Sequence, residues 1–173
     1  MAREEFIKAI ESIAPEKLVY VDESGVDNNI TVEYGWSEKG KRSYAEKLGF
    51  ASDRRNIIAG YNYATKDIIA PFEYKGYTDK LLFVSWFKNV LCPNLTPGQV
   101  VILDNASFHK DDELYNIIEE CGCKLIYLPP YSPDLNPIEN FWANFKRNLR
   151  KVIKKFGNFL EAITYAINIT LPC

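Results

Sequence analysis

The sequence predicts an α/β fold, a mixed sheet flanked by helices, and three observations predict it. Strand-like runs at 18–24, 56–64 and 67–76 stand close together, the last two joined at Thr65 and Lys66 like a hairpin. The run 99–105, QVVILDN, is continuously apolar before it reaches Asp104, as expected of an interior strand covered on both faces. After these, segments with apolar residues at helical spacing alternate with further strand-like runs.

Each element can be justified in order. Arg3 to Ile13 reads as a short amphipathic helix with Phe6, Ile7, Ile10 and Ile13 on one side, stopped by Pro15. The three strands come next, separated after the first by the polar, basic stretch 33–47, a long loop with a short strand around Val32 to Trp36. Thr78 is the expected N-cap of a helix that is apolar on most faces through Leu91. Beyond the strand at 99–105, Leu114, Ile117, Ile118 and Cys121 recur at helical spacing until Gly122 stops them. CKLIYLPP, from Cys123, is a strand closed by two prolines, and two helices finish the chain, entered at Asn136–Pro137 and at Asn158. An antiparallel trio continued as α-β-α-β-α-α is the ribonuclease H-like arrangement.

A length of 173 residues fits one domain, expected at 18–173, with 1–17 a short N-terminal helix or linker remnant. Hydrophobic residues at 47% and charged residues at 25% exclude a disordered chain. The N-terminus MAREEFIKAI lacks the apolar core of a signal peptide, and no run is long enough to span a bilayer, so a cytoplasmic protein is expected. Cys121 and Cys123 are too close for the usual zinc spacing, while Cys92 and Cys173 stand alone in sequence, and all four are expected as reduced thiols. A net charge of −2 speaks against a generically basic nucleic-acid binder.

Three acids stand out, each with a structural alternative. Asp22 lies inside a strand, where Asp is disfavoured, sharing a face with Leu18, Tyr20 and Ser24; it also suits a residue capping the turn at Gly25. Asp104 closes an apolar strand, where it could equally cap the coming helix or an Asx-turn. Glu139 sits three residues after Asn136 in a capping-box pattern, with Pro137 at the first helical position. Together they read differently. Carboxyl ends of neighbouring strands open onto one crevice, and a helix beginning nearby can bring in a third acid. Carboxylates converging there repel one another unless a cation is present, and oxygen donors suit Mg²⁺ or Mn²⁺. His109 is the single histidine, so a histidine-rich zinc site is excluded.

The strings LVYVDESG (18–25), VVILDNASFHK (100–110) and LPPYSPDLNPIENFWANFK (128–146) resemble the three catalytic blocks of mariner-superfamily transposases, in the bacterial insertion-sequence branch. YGWSEKGKR (34–42) resembles that branch's Tyr-Gly-Trp loop, and the 34 residues 105–138 between Asp104 and Glu139 resemble its spacing. The resemblance runs from about Leu18 to Ile153. It implies a DDE transposase catalytic domain in which Asp22, Asp104 and Glu139 hold two divalent metals, Mg²⁺ or Mn²⁺. Asn105 and His109 match the second block, and Asn136 and Pro137 the third; Glu23 matches the first without being a ligand.

The chemistry implied is metal-dependent DNA strand cleavage and then strand transfer from a 3′-hydroxyl, on transposon ends and target DNA, typically at a TA step. Two metals about 3.5 to 4 Å apart would clamp the scissile phosphate. Family members carry helix-turn-helix modules ahead of this domain, so an upstream DNA-binding region is an expected partner, and a homodimer is allowed in the DNA complex. Specific recognition there would reconcile the acidic charge with a DNA substrate. On the last-but-one helix, at about 100° per residue, Lys146 and Arg150 fall within about 20° of Glu139 and Lys154 within about 60°. With Arg147 they form a candidate phosphate-contacting ridge, or a solvated face. Trp36, Lys39, Lys41 and Arg42 are a second candidate. Two alternatives share these features: another ribonuclease H-like nuclease, and an inactive transposon remnant that only binds DNA.

Overall fold

The computed structural model describes residues 3–28, 39, 53–104 and 112–171. Helix α1 spans Arg3–Glu11, then β1 Leu18–Asp27, β2 Arg54–Asn62, β3 Asp67–Tyr74, α2 Lys80–Trp86, β4 Val100–Leu103, α3 Asp112–Glu120, β5 Lys124–Tyr127, α4 Ile138–Val152 and α5 Phe159–Thr170. The five strands form one sheet in the order β3-β2-β1-β4-β5. The β1–β2 and β2–β3 pairs are antiparallel, whereas β1–β4 and β4–β5 are parallel. This is the mixed sheet that the order of elements predicts.

Strand alternation divides the core into two layers. Leu18 and Tyr20 of β1 pack with Phe6 of α1 and with Phe141, Trp142, Phe145 and Leu149 of α4. Val19 and Val21 face the other way, among Phe83, Trp86, Leu114 and Ile118 of α2 and α3. β4, four residues long, is buried throughout because both layers cover it. Phe6 is fully buried, so α1 is seated in the same core.

Local chemistry explains the element ends, and two differ from expectation. α2 is capped by Asp79, whose side chain accepts from the Leu82 N–H at 2.8 Å, and not by Thr78. The Thr78 hydroxyl is instead engaged with the Tyr74 hydroxyl. After Trp86 the helix widens into a π turn at Phe87–Leu91 and tightens over Cys92–Asn94, where Pro93 cannot supply the next N–H. α3 ends as Gly122 predicts. Gly122 adopts φ +68, its N–H reaches Glu119 O at 2.9 Å and the Cys123 N–H reaches Ile118 O at 3.0 Å, a Schellman stop. The second departure is α4, which starts at Ile138 behind Pro137 with no side-chain cap, whereas α5 is capped by Asn158 onto the Leu160 N–H at 2.9 Å.

At the sheet edge, β3 carries Pro71, a left-handed Ala70 at φ +53 and a register shift against β2 between Ile58 and Gly60. These interruptions blunt the edge against further pairing. Cys92, Cys121 and Cys123 are free thiols, and Cys92 stands against Cys121. The expected strand at Val32–Trp36 lies outside the described residues, as does Cys173. Among the described residues no helix is long and apolar enough to cross a membrane.

Candidate active site

Parallel pairing aligns Leu18 with Val100, Val19 with Val101 and Tyr20 with Ile102. Two steps further along each chain are Asp22 and Asp104, so the register carries both acids to the same end of the sheet. Asp22 is still inside β1, held by its antiparallel pairing with Ala59, whereas Asp104 is the first residue beyond β4. The next parallel strand, β5, ends one residue before Leu128, whose N–H bonds Leu103 O at 2.8 Å. From there Pro129 and Pro130 turn the chain away from the sheet. A tight turn at Pro133–Leu135 leads into α4, whose first turn bears Glu139.

The three acids, Asn136 and the segment 128–133 line one open cleft of about 500 Å³. Its lining combines three carboxylates with the mostly apolar segment 128–133. The acids act on one another across this space. Burial, and after it the charge of Glu139, pushes the Asp22 carboxyl up to about 7, with further repulsion from Glu23 and Asp104 and a partly offsetting backbone hydrogen bond at Glu23. Asp22 is half-buried on a rigid strand, while Glu139 is exposed at a helix start. Among the described residues, no three acidic, histidine or cysteine side chains stand close enough to grip one ion as they are. The acids therefore face a cleft and do not form a closed cage.

Asn136 departs from the capping-box expectation. Only its backbone serves α4, its carbonyl accepting the Glu139 N–H at 3.2 Å. The side chain is 6% exposed, and its Oδ1 has no hydrogen-bond partner. A buried amide oxygen left unpaired is costly in a folded chain. Here it lies beside the acids, where a bound group could satisfy it. Ser132, also buried, donates to Pro130 O at 3.3 Å. Ser132 and Tyr131 lie inside the third motif block, which gives neither a role, although the closely spaced prolines of PPYSP signal a stiff segment.

Of the predicted basic residues, Lys146 is half-buried on α4 and Arg147 and Arg150 are exposed on it. Ile138, Phe141, Trp142, Phe145, Leu149 and Val152 are buried on its opposite side. Lys154 falls in the tighter turn Ile153–Lys155, so its helical phase relative to Glu139 no longer applies. Among the described residues, no carboxylate is within ion-pair distance of Lys146, Arg147, Arg150 or Lys154. Arg147 donates to Asn144 Oδ1 at 2.8 Å. Lys39 is exposed; Trp36, Lys41, Arg42, Asn105 and His109 lie outside the described residues. Arg3 of α1 forms a paired hydrogen bond with Asp134, tying the first helix to the turn before Asn136.

The fold and cleft define a class: a ribonuclease H-like α/β domain with one carboxylate inside the central strand, a second just beyond the parallel strand beside it and a third on the helix after them. Comparison with known proteins makes this more specific. Residues 17–161 match the family described as DDE superfamily endonuclease, and the chain belongs to that family. It is 30% identical over 105 residues to the transposable element Tcb1 transposase of Caenorhabditis briggsae, covering 56% of this chain and 38% of that protein. Among solved structures, it resembles the Mos1 transposase in its paired-end complex with the left transposon end, with a TM-score of 0.67 at 15% identity. That match covers 96% of this chain and 57% of the other. It also resembles the catalytic core domain of BIV integrase, with a TM-score of 0.56 at 13% identity, covering 88% and 81%. The structural matches establish the fold, and the mariner-like resemblance of the three motif blocks is borne out. The chain spans well under two thirds of the transposases it matches.

Proposed function

We propose that this chain is the catalytic domain of a DDE transposase, hydrolysing a phosphodiester at a transposon end and joining the freed 3′-hydroxyl to target DNA, in the family typically at a TA step. The observation that carries this reading is that Asp22, inside β1, lines one cleft with Asp104, just beyond the neighbouring parallel strand, and with Glu139, whose charges repel it. Mutual repulsion of this kind opposes folding, and it persists where function uses it.

Asp22, Asp104 and Glu139 are the residues that would hold divalent metal, and the donor set fits. It is all oxygen, it is acid-rich, and the buried Asn136 Oδ1 beside it lacks a partner. Two Mg²⁺ or Mn²⁺ ions would supply Lewis-acid activation of the attacking oxygen and neutralise the charge of the leaving 3′ oxygen. The protein's own part is positioning. β1 fixes Asp22, the end of β4 presents Asp104, and α4 carries Glu139 on an exposed first turn that can adjust as the cleft fills. Lys146, Arg147 and Arg150 come after Glu139 along the same helix and would bind the phosphates that lead into the cleft. Recognition of end sequences would belong to a helix-turn-helix region upstream, and the DNA complex would be a homodimer.

The test is a strand-transfer assay on duplexes carrying transposon ends, with Mg²⁺, Mn²⁺ or EDTA, using the chain fused to its upstream DNA-binding region. Metal-dependent nicking and subsequent joining are expected. Hydrolysis of RNA-DNA hybrids without any joining would assign the domain to a different nuclease class.

A further inference from the structure

The cleft has one feature that metal chemistry does not use. Tyr131 lines it, yet the side chain is 101% exposed, the highest exposure of any large apolar residue described. Its backbone is left-handed, with φ +55, a conformation that bulky side chains rarely adopt. Local structure holds it there. Pro129 and Pro130 precede it, Ser132 bonds back to Pro130 O at 3.3 Å, and Ser132 O accepts the Leu135 N–H at 3.1 Å across the Pro133 turn. Among the described residues, no ring packs on Tyr131 and no hydrogen bond engages its hydroxyl. A strained backbone that presents an unpartnered ring to solvent at the rim of a cleft is a pattern associated with ligand contact.

We infer that Tyr131 is a stacking platform for an unpaired nucleobase next to the scissile phosphate, an inference that rests on the proposed DNA chemistry of the same cleft. The lining holds two chemistries that together suit one nucleotide. The carboxylates of Asp22, Asp104 and Glu139 suit a phosphate bridged by cations. The segment 128–133 offers no cation for a phosphate but does offer proline and tyrosine surface for a sugar and a base. A base inside a duplex has no free π-face. Stacking on Tyr131 therefore requires the flanking base to leave its stack, and the ring offsets part of that cost.

The test is a binding titration with Mn²⁺, using oligonucleotides that carry 2-aminopurine at each position flanking the expected cut, as single strands, as perfect duplexes and as duplexes mismatched at that base. With the wild-type chain, fluorescence should quench at one flanking position. Tyr131→Ala should abolish that quench and weaken single-strand and mismatched-duplex binding by about five-fold to 150-fold, the range for loss of one stacked base. Tyr131→Phe should restore both, and Tyr131→Leu should not. Tyr131→Gly should lose binding without lowering the melting temperature, because glycine relieves the left-handed backbone. Binding by Tyr131→Ala within two-fold of wild type, or full rescue by Tyr131→Leu, overturns the inference while leaving the DNA reading intact. A wild-type chain that binds none of these oligonucleotides overturns both.

Discussion

Asp22, inside β1, and Asp104, the first residue beyond β4, each stand two residues past the Tyr20–Ile102 pair of these parallel strands. The site thus depends on register. A one-residue slip of β4 against β1 would turn one acid to the opposite face of the sheet, and buried Val100 to Leu103 prevent that slip because both faces of β4 are covered.

Asp22→Asn, Asp104→Asn and Glu139→Gln should each reduce metal-dependent cleavage to background while the circular dichroism spectrum stays native. These near-isosteric changes remove ligand charge and leave core volume unchanged. Gel assays on an end-bearing duplex provide the check. Near-normal cleavage by any one variant would remove that residue from the proposed triad.

The raised Asp22 pKa makes a signed prediction about stability. Its carboxyl moves from 3.8 up to about 7 on folding, so the folded state holds the proton more tightly than the unfolded chain. Its contribution is fully present below pH 3.8 and is lost as pH rises through about 7. A shift of that size is worth at most about 4 kcal/mol. Metal-free protein should therefore melt lower at pH 8 than at pH 5.5, and Asp22→Asn should flatten this slope and raise the melting temperature at pH 8. An equally steep slope in the variant would place the repulsion elsewhere.

How legible each element was in sequence depends on the kind of signal it carries. β1, β4 and α4 were readable because strand alternation and helical spacing are set by burial, and the same alternation placed Asp22 on the face of Leu18 and Tyr20. Caps were less readable. Thr78 and Asp79 are both good caps, and only the engagement of Thr78 with Tyr74, a tertiary contact, decides between them. Asn136 misled for the same reason, since its local pattern matches a capping box while its side chain is buried with Oδ1 unpaired. Tyr131 carries no periodic signal at all. Its exposure and backbone become visible only when the proline-rich segment has a shape.

Divalent metal should oppose the acid repulsion directly. Mn²⁺ or Mg²⁺ at 100-fold over its dissociation constant adds about 2.7 kcal/mol of stability to a folded state that alone binds it. The melting temperature should rise with metal, and more at pH 8 than at pH 5.5, because ligation needs Asp22 deprotonated. Asp104→Asn should blunt the rise. A metal response that is the same at both pH values would mean that binding does not involve Asp22.

Binding of DNA by the basic side of α4 should be salt-sensitive and indifferent to sequence. Lys146, Arg147 and Arg150 have no carboxylate partner among the described residues, so their charge remains available to phosphates. Phosphate contacts position a duplex without reading its bases, and each contact removed should reduce the slope of log affinity against log salt by about 0.9. Arg150→Ala should therefore weaken binding to transposon-end and scrambled duplexes equally and lower both slopes by about one unit. Because Arg150 is exposed, the melting temperature should not change. Fluorescence anisotropy on the two duplexes at several salt concentrations measures this. If Arg150→Ala weakened only the end sequence, that helix would be reading bases, and recognition would lie within this domain.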